Sequence, residues 1–270
     1  MPKKIILGPF EYNPNFNRAE YIREKIDEFR TRMDDLLQYV DSMSNATLQL
    51  IAMFSIIDSM AQEWRNYPDG KCKEAFCAFV LNHQSKYDYL DKVEPVTLFY
   101  HVEDQLAESV SIPGLPAEKE VTLNSLGVLD MRLLRDVLPS GKSEEILKYL
   151  ATKKGGDFAD KKAKEHRLIS LIYRMRSKAT HEMTGLGAEI GPHSNDKVNE
   201  PYYMDINTTD INENNMLSYD AYELAIPNGF IRSILGDCID SYLSECTAQL
   251  RLPFNNNKLM RKHRLSWYDK

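Results

Sequence analysis

The residue types best suited to proton transfer and phosphate chemistry near neutral pH gather in one short run: Arg174, Arg176, Ser177, Lys178 and His181. Histidine is the side chain whose unperturbed pKa lies in that range. Arginine is a fixed cation whose planar fork matches phosphate oxygens. An arginine and a histidine one or two turns apart on a helix therefore form a candidate pair for cleaving a phosphodiester. The surrounding stretch, from Lys161 to Gly185, predicts that helix. Its apolar residues Leu168, Ile172, Met175, Ala179 and Met183 recur at intervals of four, three, four and four, which is one buried stripe. Gly185 and Gly187 follow as stop signals. A basic helix with one histidine also describes an ordinary solvated face, so spacing alone does not assign a function.

The string Arg176-Ser177-Lys178-Ala179-Thr180-His181, within IYRMRSKATHE, resembles the Arg-x4–6-His motif of HEPN domains. About ten residues carry the likeness sharply. A weaker likeness runs from about Ala46 to Phe79, where an apolar helix bearing Ile57-Asp58-Ser59 precedes one with Phe76 and Phe79. The position after the motif arginine is often Asn in the family and is Ser177 here, which keeps a hydroxyl for hydrogen bonding and lacks the amide.

The resemblance implies an all-α fold and a metal-independent endoribonuclease active as a homodimer. One histidine cannot easily be base and acid in the same step, and two copies across a dimer supply both roles. His181 would transfer protons, Arg176 would offset charge on the phosphorane, and Ser177 would orient one of them. Arg174 and Lys178 are supporting cations, and neither metal nor cofactor is called for. RNA, tRNA among the candidates, is the implied partner, and enzymes of this kind commonly serve in toxin or antiviral defence systems, where an antitoxin or other regulator can restrain them. The alternative is a non-catalytic HEPN-like module that binds RNA, a nucleotide or a protein partner through the same residues. The presence of both motif residues favours the enzyme.

Helix geometry bears on which arginine acts. At about 100° per residue, positions 176 and 181 lie about 140° apart, whereas 174 and 181 differ by about 20°. Arg176 is preferred because the polar residue after it fits the family pattern. Arg174 satisfies the looser spacing and is the reserve, as a phosphate contact or as the motif arginine.

The elements that must position this helix are legible from periodicity. Ile22, Ile26, Phe29, Met33, Leu36 or Leu37, and Val40 predict an amphipathic helix over 18–43. Asn45 caps a second, largely buried helix to about Arg65, with Leu48, Ile51, Phe54, Ile57, Ala61 and Trp64 facing inward. Asp58 sits beside that apolar stripe, and a carboxylate there needs a partner, such as a basic residue of the motif helix. YPDG at 67–70 is a turn. Helices follow over 71–82 and from Pro95, the latter carrying His101, which reads as a packed or half-exposed residue.

Residues 107–159 read as an insertion, with short helices at about 129–137 and 143–152 and a flexible, charged linker, KKGGDFADKK, into the motif helix. Residues 185–200, including His193, read as loop. PYYMDI and AYELAI predict a β-hairpin across a long polar connection, and Pro227 opens a last helix. The expected architecture is mainly α: one HEPN-like antiparallel helical bundle over 1–250, with a small β-hairpin near the C-terminus and a basic tail at 251–270.

Composition sets outer limits. The 270 residues are 43% hydrophobic and 27% charged, as in ordinary globular proteins. No run of eighteen apolar residues exists, so no membrane-spanning helix is expected, and the apolar run near the N-terminus is too short for a secretory signal. A cytoplasmic protein is the resulting expectation. Cys72, Cys77, Cys238 and Cys246 lack zinc-knuckle spacing and read as buried free thiols. The net charge of −6 argues against coating nucleic acid nonspecifically. Residues 153–178 nevertheless carry nine Lys/Arg against three Asp/Glu, and 258–270 add five cations against Asp269. Glycine-rich phosphate loops, G-x-S-x-G elbows and H-E-x-x-H strings are absent.

Overall fold

The computed structural model describes residues 17–64, 70–106, 132–182, 190–193, 199–212 and 215–253. Side chains are described over the same residues, apart from 103–106, 180–182, 190–193, 205–212 and 215–221. The elements in chain order are α1 (Arg18–Asp41), α2 (Ala46–Trp64), α3 (Cys72–His83), α4 (Pro95–Leu106) and α5 (Leu134–Val137), followed by a 3-10 turn (Leu138–Ser140). Then come α6 (Lys142–Lys154), α7 (Gly156–Glu165), α8 (Leu168–Glu182), β1 (Ile190–His193), β2 (Tyr202–Asn212), β3 (Asn215–Pro227) and α9 (Asn228–Ala248). The fold is mainly α with a hairpin near the C-terminus, as the periodicity predicts. Among the described residues, no helix is long and apolar enough to cross a membrane.

Helix α2 lies at the centre because it is apolar over most of its circumference. Leu50, Met53, Phe54, Ile57, Met60 and Ala61 have essentially no exposure, and α2 packs against α3, α8 and α9. Asn45 caps it, accepting the backbone N–H of Leu48 at 2.9 Å. Leu48 lies about 200° around the helix from buried Leu50 and is 51% exposed, against the inward placement its apolar character predicts. Helix α1 has its own cap in Asn17, which accepts from the N–H groups of Ala19 and Glu20. Its Ile22, Ile26, Leu37 and Val40 are buried. Helix α9 buries Ile231, Ile234, Leu235, Cys238, Ile239, Tyr242 and Leu243. Asn228 ties its first turn to α2 by donating to the Ala46 carbonyl at 2.8 Å and Gln49 Oε1 at 3.0 Å.

Several local expectations are corrected. The stretch read as a charged linker is helix α7, set off from α6 by Gly155 at φ 94°, a backbone angle that glycine adopts without penalty. The motif helix begins at Leu168 and not at Lys161. At the break, the N–H groups of Leu168 and Ile169 bond the carbonyls of Lys92 and Leu90 at 3.0 and 2.9 Å, and Glu94 N–H bonds the His166 carbonyl at 2.9 Å. A strand-like bridge between Val93 and Arg167 thus replaces the helical bonds that would have joined α7 to α8. Helix α5 occupies part of the predicted 129–137 helix, and α6 matches the second.

The sheet also goes further than predicted. Residues 190–193, read as loop, form β1, which pairs parallel to β3 at Ile190–Leu224 through His193–Pro227. Most of the supposed polar connection is strand as well, since β2 and β3 pair antiparallel from Tyr202–Ala225 to Asn212–Asn215. The order is β1-β3-β2. Cys238 and Cys246 are buried free thiols as expected, Cys77 is half-buried, and Cys72 is exposed. Residues 1–16, most of the YPDG turn, residues 107–131, the stop glycines and the basic residues 258–270 lie outside the described residues.

Candidate functional site

Arg176 projects from α8 toward α2. Its Nε donates to Oδ2 of Asp58 at 2.5 Å, and Nη2 lies 2.5 Å from the same oxygen in the ion pair. The two side chains are 19% and 16% exposed, so the pair lies at the edge of the core, away from open solvent. Asp58 is the carboxylate that the apolar α2 pattern required to find a partner, and Arg176 of the motif helix is that partner. Burial pushes the Asp58 carboxyl above its ordinary pKa, and the Arg176 charge and hydrogen bond oppose that shift. Its second oxygen, Oδ1, is buried and has no hydrogen-bond partner among the described residues. The Arg176 guanidinium also lies over the Tyr173 ring, 5.5 Å from its centroid. Tyr173 in turn meets the Phe76 ring of α3 edge-on at 5.4 Å.

Arg174 is placed differently. It is exposed, on the line of the helix that also holds position 181. The α8 backbone stays helical through Glu182, so at about 100° per residue position 181 falls about 20° from Arg174 and about 140° from Arg176. Ser177 is half-buried on the arc between position 181 and Arg176, and Lys178 is half-buried on the other side of Arg174. The His181 side chain lies outside the described residues.

Just below the start of α8 is a buried polar cluster that the sequence reading did not assemble. Glu94 is fully buried and caps α4, its carboxylate accepting from Val96 N–H at 2.8 Å, Thr97 N–H at 2.6 Å and the Tyr203 hydroxyl at 2.6 Å. Burial raises the pKa of Glu94 and of the Tyr203 phenol. Thr97 Oγ1 sits 3.1 Å from Nδ1 of His166, whose ring is 5.2 Å from that of His101. Burial foremost, then the charges of Arg174 and His101, lower His166 to about 3, so it is neutral at physiological pH. His101 is half-buried, and its ring neighbour is His166. A signal for the cap was present in Glu94-Pro95-Val96-Thr97: a side-chain acceptor directly before a first-turn proline. Among the described residues, no group of three or more His, Cys, Asp or Glu is disposed to hold a metal ion.

No family model matches the sequence, and no curated protein or solved structure matches the chain. The likeness to HEPN domains therefore rests on the motif residues themselves.

Proposed function

We propose that the chain is a metal-independent endoribonuclease of HEPN type, acting at a composite site formed by two copies. The supporting observation is the division of labour between the two motif arginines. Arg176 is fixed by Asp58, while Arg174 is exposed on the line of position 181. In this reading Arg174 meets the scissile phosphate beside His181, and the Arg176–Asp58 pair holds the end of α8 in register with α2. His181 of one copy takes the proton of the 2′-hydroxyl, whose oxygen attacks phosphorus. His181 of the other copy gives a proton to the leaving 5′-oxygen. The products are a 2′,3′-cyclic phosphate and a 5′-hydroxyl. Arg174 of each copy offsets charge on the pentacoordinate phosphorus, and Ser177 and Lys178 flank the phosphate path. Toxin or antiviral defence is the proposed setting, with an antitoxin-like partner as restraint.

The test is incubation of the purified full chain with tRNA and total RNA in EDTA, beside His181→Ala, Arg174→Ala and Arg176→Ala. Cleavage that persists in EDTA, disappears in His181→Ala and falls about 100-fold or more in Arg174→Ala supports the reading. A folded wild-type protein that binds RNA without cutting it replaces the enzyme with a binding module. Cleavage lost in EDTA rejects the mechanism.

A further inference from the structure

Helix α1 carries an apolar stripe that the described fold covers over only part of its length. Tyr21, Phe29, Met33, Leu36, Val40 and Met43 share one face of it by their spacing. Beyond Met33 this stripe is one wall of a groove of about 370 Å³, and Ala52, Ser55, Ile56 and Ser59 of α2 form the other. Leu36 and Tyr39 line it at 37% and 65% exposure. Single exposed apolar residues are ordinary, but a continuous apolar groove is the mark of a contact surface.

The first half of the stripe is already in use. Helix α9 runs antiparallel to α1, with Arg232 on Asp41 at one end and Arg30 on Asp240 toward the other. Past Ala248 the chain therefore emerges beside the first turn of α1, where Gln249 and Leu250 line a cavity with Arg18 and Ile22. Leu250 takes a φ of 45°, and Leu252 and Pro253 then line a cavity with Phe29 and Met33. Met33 borders that cavity and the groove alike. At Pro253, the last described residue, the chain is thus heading along the stripe toward its open half. From Met33 to Met43 is about 15 Å at 1.5 Å per residue, a span that about five extended residues cover.

Residues 254–270 have the chemistry to match. They hold Leu259, Met260, Leu265 and Trp267, with five cations from Lys258 onward against the single Asp269. The walls are complementary in charge, since residues 33–64 contain five acidic residues and no Lys or Arg. A segment tethered this close is present at an effective concentration on the order of millimolar, so weak contacts suffice to seat it. Residues 1–16 fit less well. They join α1 at Asn17, about 24 Å along the helix from Met33, and carry only Lys3 and Lys4 against Glu11.

We propose that residues 254–270 fill the α1–α2 groove of their own chain, with apolar side chains against the stripe and cations toward the acidic walls. The proposal stands apart from the ribonuclease reading.

Trp64 and Trp267 are the two tryptophans of the chain, so the full chain grown with 5-fluorotryptophan gives two fluorine NMR signals, which Trp267→Phe assigns. Trp64 is buried, and its signal reports whether each variant is folded. The Trp267 signal is expected to show a smaller solvent isotope shift between light and heavy water than a synthetic peptide of residues 254–270. Leu36→Arg and Ser55→Arg lie on opposite walls at exposed positions, and each is expected to raise the shift to the peptide's value. Having one variant on each wall keeps the test readable should either fail to fold. A peptide-like Trp267 signal in the parent chain would overturn the proposal and leave the groove to residues 1–16 or to a second copy. So would a protected Trp267 that neither variant releases. Release on dilution, in step with loss of a dimer in sedimentation, would overturn it in favour of the same segment from a second copy.

Discussion

The Arg176–Asp58 pair makes the sharpest quantitative claim, because its members are too buried to count as surface charges and too close to the surface to count as core. Exposed ion pairs contribute about 0–1 kcal/mol, whereas removing one partner of a fully buried pair costs about 3–5 kcal/mol. At 16% and 19% exposure, Arg176→Gln is expected to cost about 2–3 kcal/mol at pH 7. What remains then is a carboxylate with Oδ1 already lacking a described partner and Oδ2 newly stripped of its donors. The pH dependence of this loss has a definite sign. Burial raises the Asp58 pKa in the folded state, and Arg176 opposes that rise. Without Arg176 the folded pKa climbs further above the unfolded value. The folded variant then binds the proton more readily than the unfolded chain, so its stability falls as pH rises. The deficit of Arg176→Gln against wild type should therefore shrink as pH is lowered from 7 toward 5. Urea denaturation at both pH values would measure it, within a double-mutant cycle that adds Asp58→Asn. Arg174→Gln, at an exposed position, should stay within about 0.5 kcal/mol of wild type. A coupling below about 0.5 kcal/mol, or a deficit that grows on acidification, would refute the account of how α2 holds α8.

Two further outcomes follow from the buried cluster at the start of α8. His166 is held at about 3 in the folded chain against 6.5 for the free side chain, so below pH 6.5 the unfolded state takes up a proton that the folded state refuses. Stability should drop by about 2 kcal/mol between pH 6.5 and 5 on this account, and His166→Gln should flatten that part of the stability–pH curve; an unchanged slope would refute it. Tyr203→Phe removes the hydroxyl that donates to fully buried Glu94 and should cost about 1–3 kcal/mol in urea denaturation; a loss below about 0.5 kcal/mol would show that the two backbone donors suffice.

Which parts of this arrangement could be read from the sequence depends on where the deciding partner lies. Helices α1, α2 and α9 follow from their own apolar spacing, since each has a stripe that can be buried in only one orientation. Asp58 was legible as a carboxylate in need of a cation, because a charge beside an apolar stripe is costly unpaired. Its pairing with Arg176, 118 positions away, depends on how two helices cross and is not a local property. The break before Leu168 is hidden for a like reason. The sequence around His166 and Arg167 carries neither Gly nor Pro, and helix is interrupted because carbonyls of residues 90 and 92 take the N–H groups that the helix would use. Strand β1 is four residues, Ile-Gly-Pro-His, with no alternation to announce it, and it is a strand only because β3 lies alongside. The choice between Arg174 and Arg176 combines both kinds of information. Angular phase on the helix puts Arg174 in line with position 181, and that was available from spacing alone. The commitment of Arg176 to Asp58 required the fold. Together they support the proposed assignment of the phosphate contact to Arg174, because an arginine already committed to a carboxylate has fewer donors left for a phosphate than an exposed one.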